Sequence, residues 1–268
     1  MSAALRVAPP VGLLAGRRAP RLIERNVMVY RRTWLVLFSG FFEPLFYLLG
    51  LGFGLGRIVG DVPGPDGTPI PYAVFVGPAL LASSAMNGAI YDATINVFHR
   101  LRYEKLYDAI LTTPLGVSDI AVGEIAWALI RGTLYAIGFM AVMLLLGLVR
   151  SPWAVLVIPA AMLVGWAFAA AGMAATTFMR TWQDFDLVQL VSLPLFLFSA
   201  TFYPLDAYPP ALRVVVELTP LYQGVDLIRG LTTGVVGPAA VGHVVYLVVV
   251  GLVGLVITSR RLGRLLQK

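Results

Sequence analysis

The sequence predicts an all-α integral membrane protein with six transmembrane helices, and three observations predict it. Of its 268 residues 59% are hydrophobic and only 13% charged, whereas a soluble domain is about a quarter charged; no soluble fold of this length hides so much apolar surface, so the solvent must be lipid. Apolar runs near the roughly 20 residues that a crossing requires recur at 34–56, 72–94, 120–148, 153–179, 187–204 and 240–258, the fifth being short. With the N-terminus inside, fifteen Lys and Arg fall on one side and four on the other. That asymmetry places both termini in the cytoplasm, and it accounts for the net charge of +6 without nucleic acid.

Residues 1–33 are expected to be a cytoplasmic N-terminus. Arg6 precedes only a short apolar patch broken by Pro9, Pro10 and Gly12, which does not read as a cleaved signal. Further on, Ile23, Val27, Tyr30 and Trp34 recur at i, i+4, i+7 and i+11, while Arg21, Arg25 and Arg32 line another face. This is the pattern of an amphipathic interface helix lying on anionic head groups; the alternative is a positive flank that only fixes topology.

Residues 34–258 are expected to form the transmembrane domain and 259–268 a basic cytoplasmic tail. The first span carries Phe42, Glu43, Phe46 and Tyr47, with Pro44 loosening the helix beside Glu43. An ionisable group inside a span is costly and hence a functional candidate, so Glu43 either faces a water-filled path or subunit interface or makes a structural hydrogen bond. Gly50, Gly52, Gly54 and Gly56 lie in an apolar helix rather than between a strand and a helix, so they read as a close-packing face and not as a phosphate cradle. Phe42, Phe46, Tyr47, Phe198 and Phe202 are candidate path-lining aromatics. The Pro- and Gly-rich loop 57–71 shows no pattern.

Asp92 closes the second run and reads as solvated or capping. Between the second and third runs, Tyr103, Leu106, Tyr107, Ile110 and Leu111 form one stripe of a short helix, with Glu104, Lys105 and Asp108 opposite. Pro114 and Gly116 end it, and Ser118 is a candidate cap for the third span. The stripe either docks into a groove on a soluble partner or packs against the protein's own helices. Glu124 and Arg131, seven residues apart, share one face of the third span, where they snorkel or pair with neighbouring helices. The stretch 205–239 is too polar to span and reads as two short interfacial helices separated near Pro220, or as an ordinary extracellular loop.

The chain has no Cys and only two histidines, His99 and His243, expected on opposite sides of the membrane. Its acids are scattered, which argues against an intramembrane enzyme. No GxxxxGK[ST] occurs, so ATP and Mg are not expected on this chain. An ion-coupled secondary transporter using Glu43 or Glu124 remains an alternative, without the inverted repeat common in that class.

The segments EPLFYLLGLGFGLG (43–56), LRYEKLYDAILTTPLGVSDIAVGEI (101–125) and FSATFYPLDAYPPALRVVVELTPLYQGVDLIRGL (198–231) resemble ABC-2 type exporter permeases, within them the nodulation-factor (lipo-oligosaccharide) export branch. The resemblance implies a transmembrane subunit of an exporter with two permeases, identical or paralogous, and two ATP-binding subunits that carry ATP and Mg. It implies that Tyr103, Glu104, Leu106, Tyr107, Ile110, Leu111 and Pro114 form a coupling helix seated on the ATPase. Arg21, Ile23, Arg25, Val27 and Tyr30 would belong to the interface helix, and 205–231 to short outer re-entrant helices. The expected cargo is an amphiphile or lipid-linked molecule, moved outward across the cytoplasmic membrane.

Overall fold

The structure, a computed structural model, describes residues 18–31 and 42–266. Among the described residues these elements follow in order, besides a 3-10 turn at Leu205–Ala207: α1 (Ala19–Tyr30), α2 (Phe42–Val59), strands β1 (Asp61–Pro63) and β2 (Pro69–Pro71), α3 (Tyr72–Arg102), α4 (Leu106–Leu111), α5 (Val117–Leu145), α6 (Pro152–Thr176), α7 (Asp184–Leu197), α8 (Pro210–Glu217), α9 (Pro220–Thr233) and α10 (Ala239–Leu266). Among the described residues five helices, α2, α3, α5, α6 and α10, are long and apolar enough to cross a membrane. The protein is an all-α integral membrane fold. The fifth run, 187–204, forms only the 14-residue α7, about 21 Å at 1.5 Å per residue and shorter than the apolar slab of about 30 Å.

Two spans run further than hydropathy suggests. α3 continues to Arg102 because the polar groups that seemed to end it are satisfied within it: Asn96 Nδ2 donates to Asp92 Oδ1 (2.6 Å) and Thr94 Oγ1 to the Ile90 carbonyl (2.6 Å). A π-helical turn over Asp92–Asn96 absorbs the change. α10 continues through Arg260, Arg261 and Arg264, so the expected basic tail from residue 259 is helical as far as Leu266. Residues 34–41 of the first expected span lie outside the described residues, as do Arg32 and Trp34 of the expected interface stripe.

The bundle has two recognisable ends. The hairpin closes one, its strands antiparallel with Asp61 opposite Pro71, giving the patternless 57–71 loop a fixed shape. The other end gathers α1, α4 and the end of α10. The Arg18 N–H donates to Asp119 Oδ1 (3.1 Å), and Arg261 lies over the Phe178 ring (3.5 Å). The cap of α5 is not Ser118: the helix starts at Val117, and Asp119 Oδ2 reaches back to accept the Gly116 N–H (2.9 Å).

Close packing is carried by small residues. A Cβ at Gly254 of α10 would fall 2.6 Å from the Ala170 carbonyl carbon of α6, so the two backbones touch. In the GLGFGLG run only alternate glycines serve that purpose: Gly52 faces Val76 and Ala73, and Gly56 faces Tyr72, whereas Gly50 meets nothing. The polar stretch after α7 is not an ordinary loop. α8 and α9 part at Pro220 as the sequence suggests, and α9 is inserted against α3, α6 and α10.

Candidate functional site

A cavity of about 500 Å3 opens between α2, α3, α5 and α7. Each wall follows from a helical face. On α3, Ser83, Asn87 and Tyr91 recur at i, i+4 and i+8 and point the same way, joined by Ser84 and Thr94. α7 adds Phe185, Val188, Gln189, Ser192 and Phe196 at helical spacing, α5 adds Arg131 and Tyr135, and α2 adds Glu43 and Tyr47. The middle of the cavity therefore offers hydroxyl, amide and guanidinium groups inside an apolar bundle.

Aromatic side chains bound it at both ends. Towards the hairpin, Tyr47 meets Phe196 (centroids 5.8 Å) and Phe196 meets Phe202 edge-on (5.0 Å), while the Phe202 carbonyl accepts from the Tyr72 hydroxyl (3.0 Å). Towards α4, Phe185 stands at 90° to Phe98 (5.2 Å). Of the path-lining candidates, Glu43 and Tyr47 line the cavity. Phe202 backs its rim, Phe42 and Phe46 stack on each other (6.2 Å) on the exposed side of α2, and Phe198 is exposed beyond α7.

The charges of the third span, Glu124 and Arg131, are paired rather than snorkelling. Arg131 Nε lies 3.0 Å from Asp92 Oδ2 across α3 and α5, both side chains at most 8% exposed. Asp92 is thus neither solvated nor capping; its partner on another helix is invisible to a single-helix reading. Glu124 pairs with Arg100, and both are buried or nearly so. Arg131 consequently borders the cavity as one half of a neutral pair.

α4 resolves its apolar stripe in favour of its own bundle. Tyr107 is fully buried and Ile110 buried, while Leu106 and Leu111 are partly covered. Burial, and after it the Glu124 carboxylate, hold the Tyr107 phenol well above its ordinary pKa, so the hydroxyl stays protonated. What α4 leaves outside is Tyr103, Glu104, Lys105, Asp108 and Pro114. Lys105 adopts φ 47°, a left-handed residue that breaks α3 from α4.

α1 packs against α5, with Leu22 of α1 filling the space above Gly123. The face it buries holds Ala19, Leu22 and Asn26. Ile23 is half-buried, Val27 is exposed, and Arg21 pairs with Glu24 (2.9 Å) on the outside; Arg25 donates to Asn26 Oδ1 (3.3 Å). The predicted stripe thus sits one residue round from the face that contacts the protein. Tyr30 ends the helix.

Arg229, in the stretch expected to form short interfacial helices on the outer side, is buried in α9. Its Nε donates to the Phe75 carbonyl (3.1 Å) and its Nη2 to the Ala200 carbonyl (2.7 Å), with the guanidinium 3.9 Å from the Phe75 ring centre. Burial lowers its pKa to about 10, leaving it charged at neutral pH. The signal was present, since Leu221, Val225, Ile228 and Arg229 share a helical face.

Residues 20–232 match the ABC-2 type transporter family. The chain is 32% identical over 247 residues to Nodulation protein J of Rhizobium leguminosarum bv. viciae, covering 90% of this chain and 93% of that protein. It is 32% identical to Nodulation protein J of Rhizobium meliloti (strain 1021), covering 79% of each, and 26% identical to that of Azorhizobium caulinodans, covering 78% and 82%. The chain belongs to the ABC-2 type transporter family and is a membrane permease subunit of an ABC exporter.

Proposed function

We propose that this chain is one of two permeases in an exporter powered by two ATP-binding subunits, which hold the ATP and Mg. The cavity carries this reading. Its middle offers uncharged hydrogen-bonding groups and a neutralised Arg131, and its ends are aromatic. That suits an amphiphilic or lipid-linked cargo with a polar head group, and its open side suits entry from the bilayer. The curated relatives are named for nodulation, which is compatible with a lipo-oligosaccharide cargo.

In this reading α7 is a crossing. Five crossings would put the end of α10 opposite α1, yet Arg261 at that end lies on Phe178, next to Met179, whose carbonyl accepts from Arg102 (3.0 Å) beside α4. This supports a crossing between Met179 and Ala200, whose carbonyl accepts from Arg229 at the hairpin end. α7 and the buried segment 199–201 make that crossing, and α8 and α9 are outer re-entrant helices. In this reading α1, α4 and both termini lie in the cytoplasm, an orientation that the excess of Lys and Arg in those segments supports. α1 is the interface helix, with Ile23 and Val27 towards lipid.

α4 is the coupling helix. Tyr107, Ile110, Leu106 and Leu111 anchor it, and Tyr103, Glu104, Asp108 and Pro114 face the ATPase. The test is co-purification in detergent with ABC ATP-binding subunits from the same genome, comparing wild type with Tyr103→Asp/Asp108→Arg. Loss of the complex in a monodisperse double variant is expected. If no ATP-binding subunit ever co-purifies, the reading fails and ion-coupled transport through Glu43 takes its place.

A further inference from the structure

The polar turn between α6 and α7 carries a stack of rings that connects the solvent-facing side of the α4 turn to the wall of the cavity. Tyr103 lies 5.8 Å from Trp182, and Trp182 lies 5.1 Å from Phe185. Phe98, buried in α3, touches all three, at 6.1 Å, 5.5 Å and 5.2 Å. These separations lie within the range of direct aromatic contact. Only the last ring in the sequence, Phe185, reaches the cavity. Tyr103 and Trp182, 57% and 45% exposed, face outward.

Both ends of this stack are built to transmit displacement. Asp184 Oδ2 accepts the Arg180 N–H (2.6 Å) and the Thr181 N–H (3.0 Å), so the turn carrying Trp182 is held rigidly to the start of α7. α7 itself is weakly held, with none of its residues buried and Leu187, Leu190 and Val191 at least 60% exposed. A helix with few buried contacts moves at low cost. At the other end, left-handed Lys105 is a joint just after Tyr103. Arg102 donates to the Met179 carbonyl just after α6, which ties the end of α3 to the near side of the turn, with α7 beyond it.

We propose that Tyr103, Trp182 and Phe185, braced by Phe98, form an aromatic relay through which displacement of the α4 turn moves α7 and changes access to the cavity. Trp182 is a positioning residue in this scheme. It acts through Phe185. The relay rests on the reading of α4 as the ATPase-facing element.

The chain contains no Cys, so Ser192→Cys supplies a single thiol facing the cavity from α7. The readout is its rate of reaction with a small maleimide in the reconstituted complex with its ATP-binding subunits, with and without ATP. The rate in Ser192→Cys is expected to depend on ATP. Adding Trp182→Ala abolishes that dependence while ATP hydrolysis persists, and adding Trp182→Phe, which keeps the ring contact, preserves it. Retained hydrolysis reports that the variant is folded and assembled. An ATP response in Trp182→Ala equal to that of the parent overturns the relay alone. A parent that hydrolyses ATP in the complex with no change in labelling removes the cavity reading together with the relay, and absence of any complex removes the coupling reading beneath both.

Discussion

Asp92 and Arg131 form an ion pair with 3.0 Å between Oδ2 and Nε, bridging α3 and α5 at the edge of the cavity. Removing one partner of a buried pair strands the other charge, at a cost of about 3–5 kcal/mol, whereas replacing both by apolar groups is often nearly neutral. Asp92→Leu and Arg131→Met should each lower the melting temperature in detergent strongly, and the double variant should recover most of the loss. If transport stays absent in the stabilised double variant, Arg131 has a role towards cargo besides pairing. A double variant no more stable than either single variant would refute the pair as a structural unit.

Glu43 lines the cavity from an exposed position on α2. Glu43→Gln should leave thermal stability within about 0.5 kcal/mol of wild type, as surface substitutions do, and reduce transport at equal expression. Transport equal to wild type would assign Glu43 to the lining alone. Transport that becomes independent of an ion gradient would favour the ion-coupled alternative.

α4 separates two tyrosines that periodicity puts on one stripe. Tyr107 is fully buried and Tyr103 more than half exposed. Tyr107→Asp should therefore abolish folding, because it buries an unpaired charge beside the Glu124 carboxylate. Tyr107→Phe, which removes a buried hydroxyl that makes no hydrogen bond among the described residues, should fold with stability within about 1 kcal/mol of wild type, and Tyr103→Asp should fold with near-native stability. Yield and monodispersity after size exclusion distinguish the three. A well-folded Tyr107→Asp would mean that the tyrosine is not enclosed by the bundle.

Hydropathy made the five long spans legible because burial in lipid demands a continuous apolar run. It shortened α3, since a composition window registers the polarity of Asp92, Asn96 and Arg100 but not their pairing. The α4 stripe was legible as amphipathic, but periodicity cannot say whether the apolar face meets a partner or the chain itself. The cavity was missed although Ser83, Asn87 and Tyr91 share one face of α3 and Gln189 and Ser192 one face of α7. Hydroxyls and amides are tolerated in spans when they bond to the preceding turn, as Ser83 does to Ala79 (2.8 Å), so each alone was unremarkable. Only the tertiary fold brings the two faces opposite each other. The helical face shared by Leu221, Val225, Ile228 and Arg229 is legible in the sequence, but nothing local shows that the carbonyls of Phe75 and Ala200 await the guanidinium.

α10 and α6 are held by backbone contact at Gly254, where a Cβ would lie 2.6 Å from the Ala170 carbonyl carbon and 2.8 Å from the Ala171 nitrogen. Backbone cannot step aside as a flexible side chain can, so Gly254→Ala should force the helices apart and cost about 1–3 kcal/mol. Gly263, on the same helix with nothing within 4 Å of its Cβ position, provides the control. Gly263→Ala should be neutral or stabilising by up to about 1 kcal/mol, since alanine restricts the unfolded chain and favours helix. Melting temperatures of the two variants side by side separate contact from helix propensity. Equal shifts would mean that α10 does not lean on α6 at Gly254.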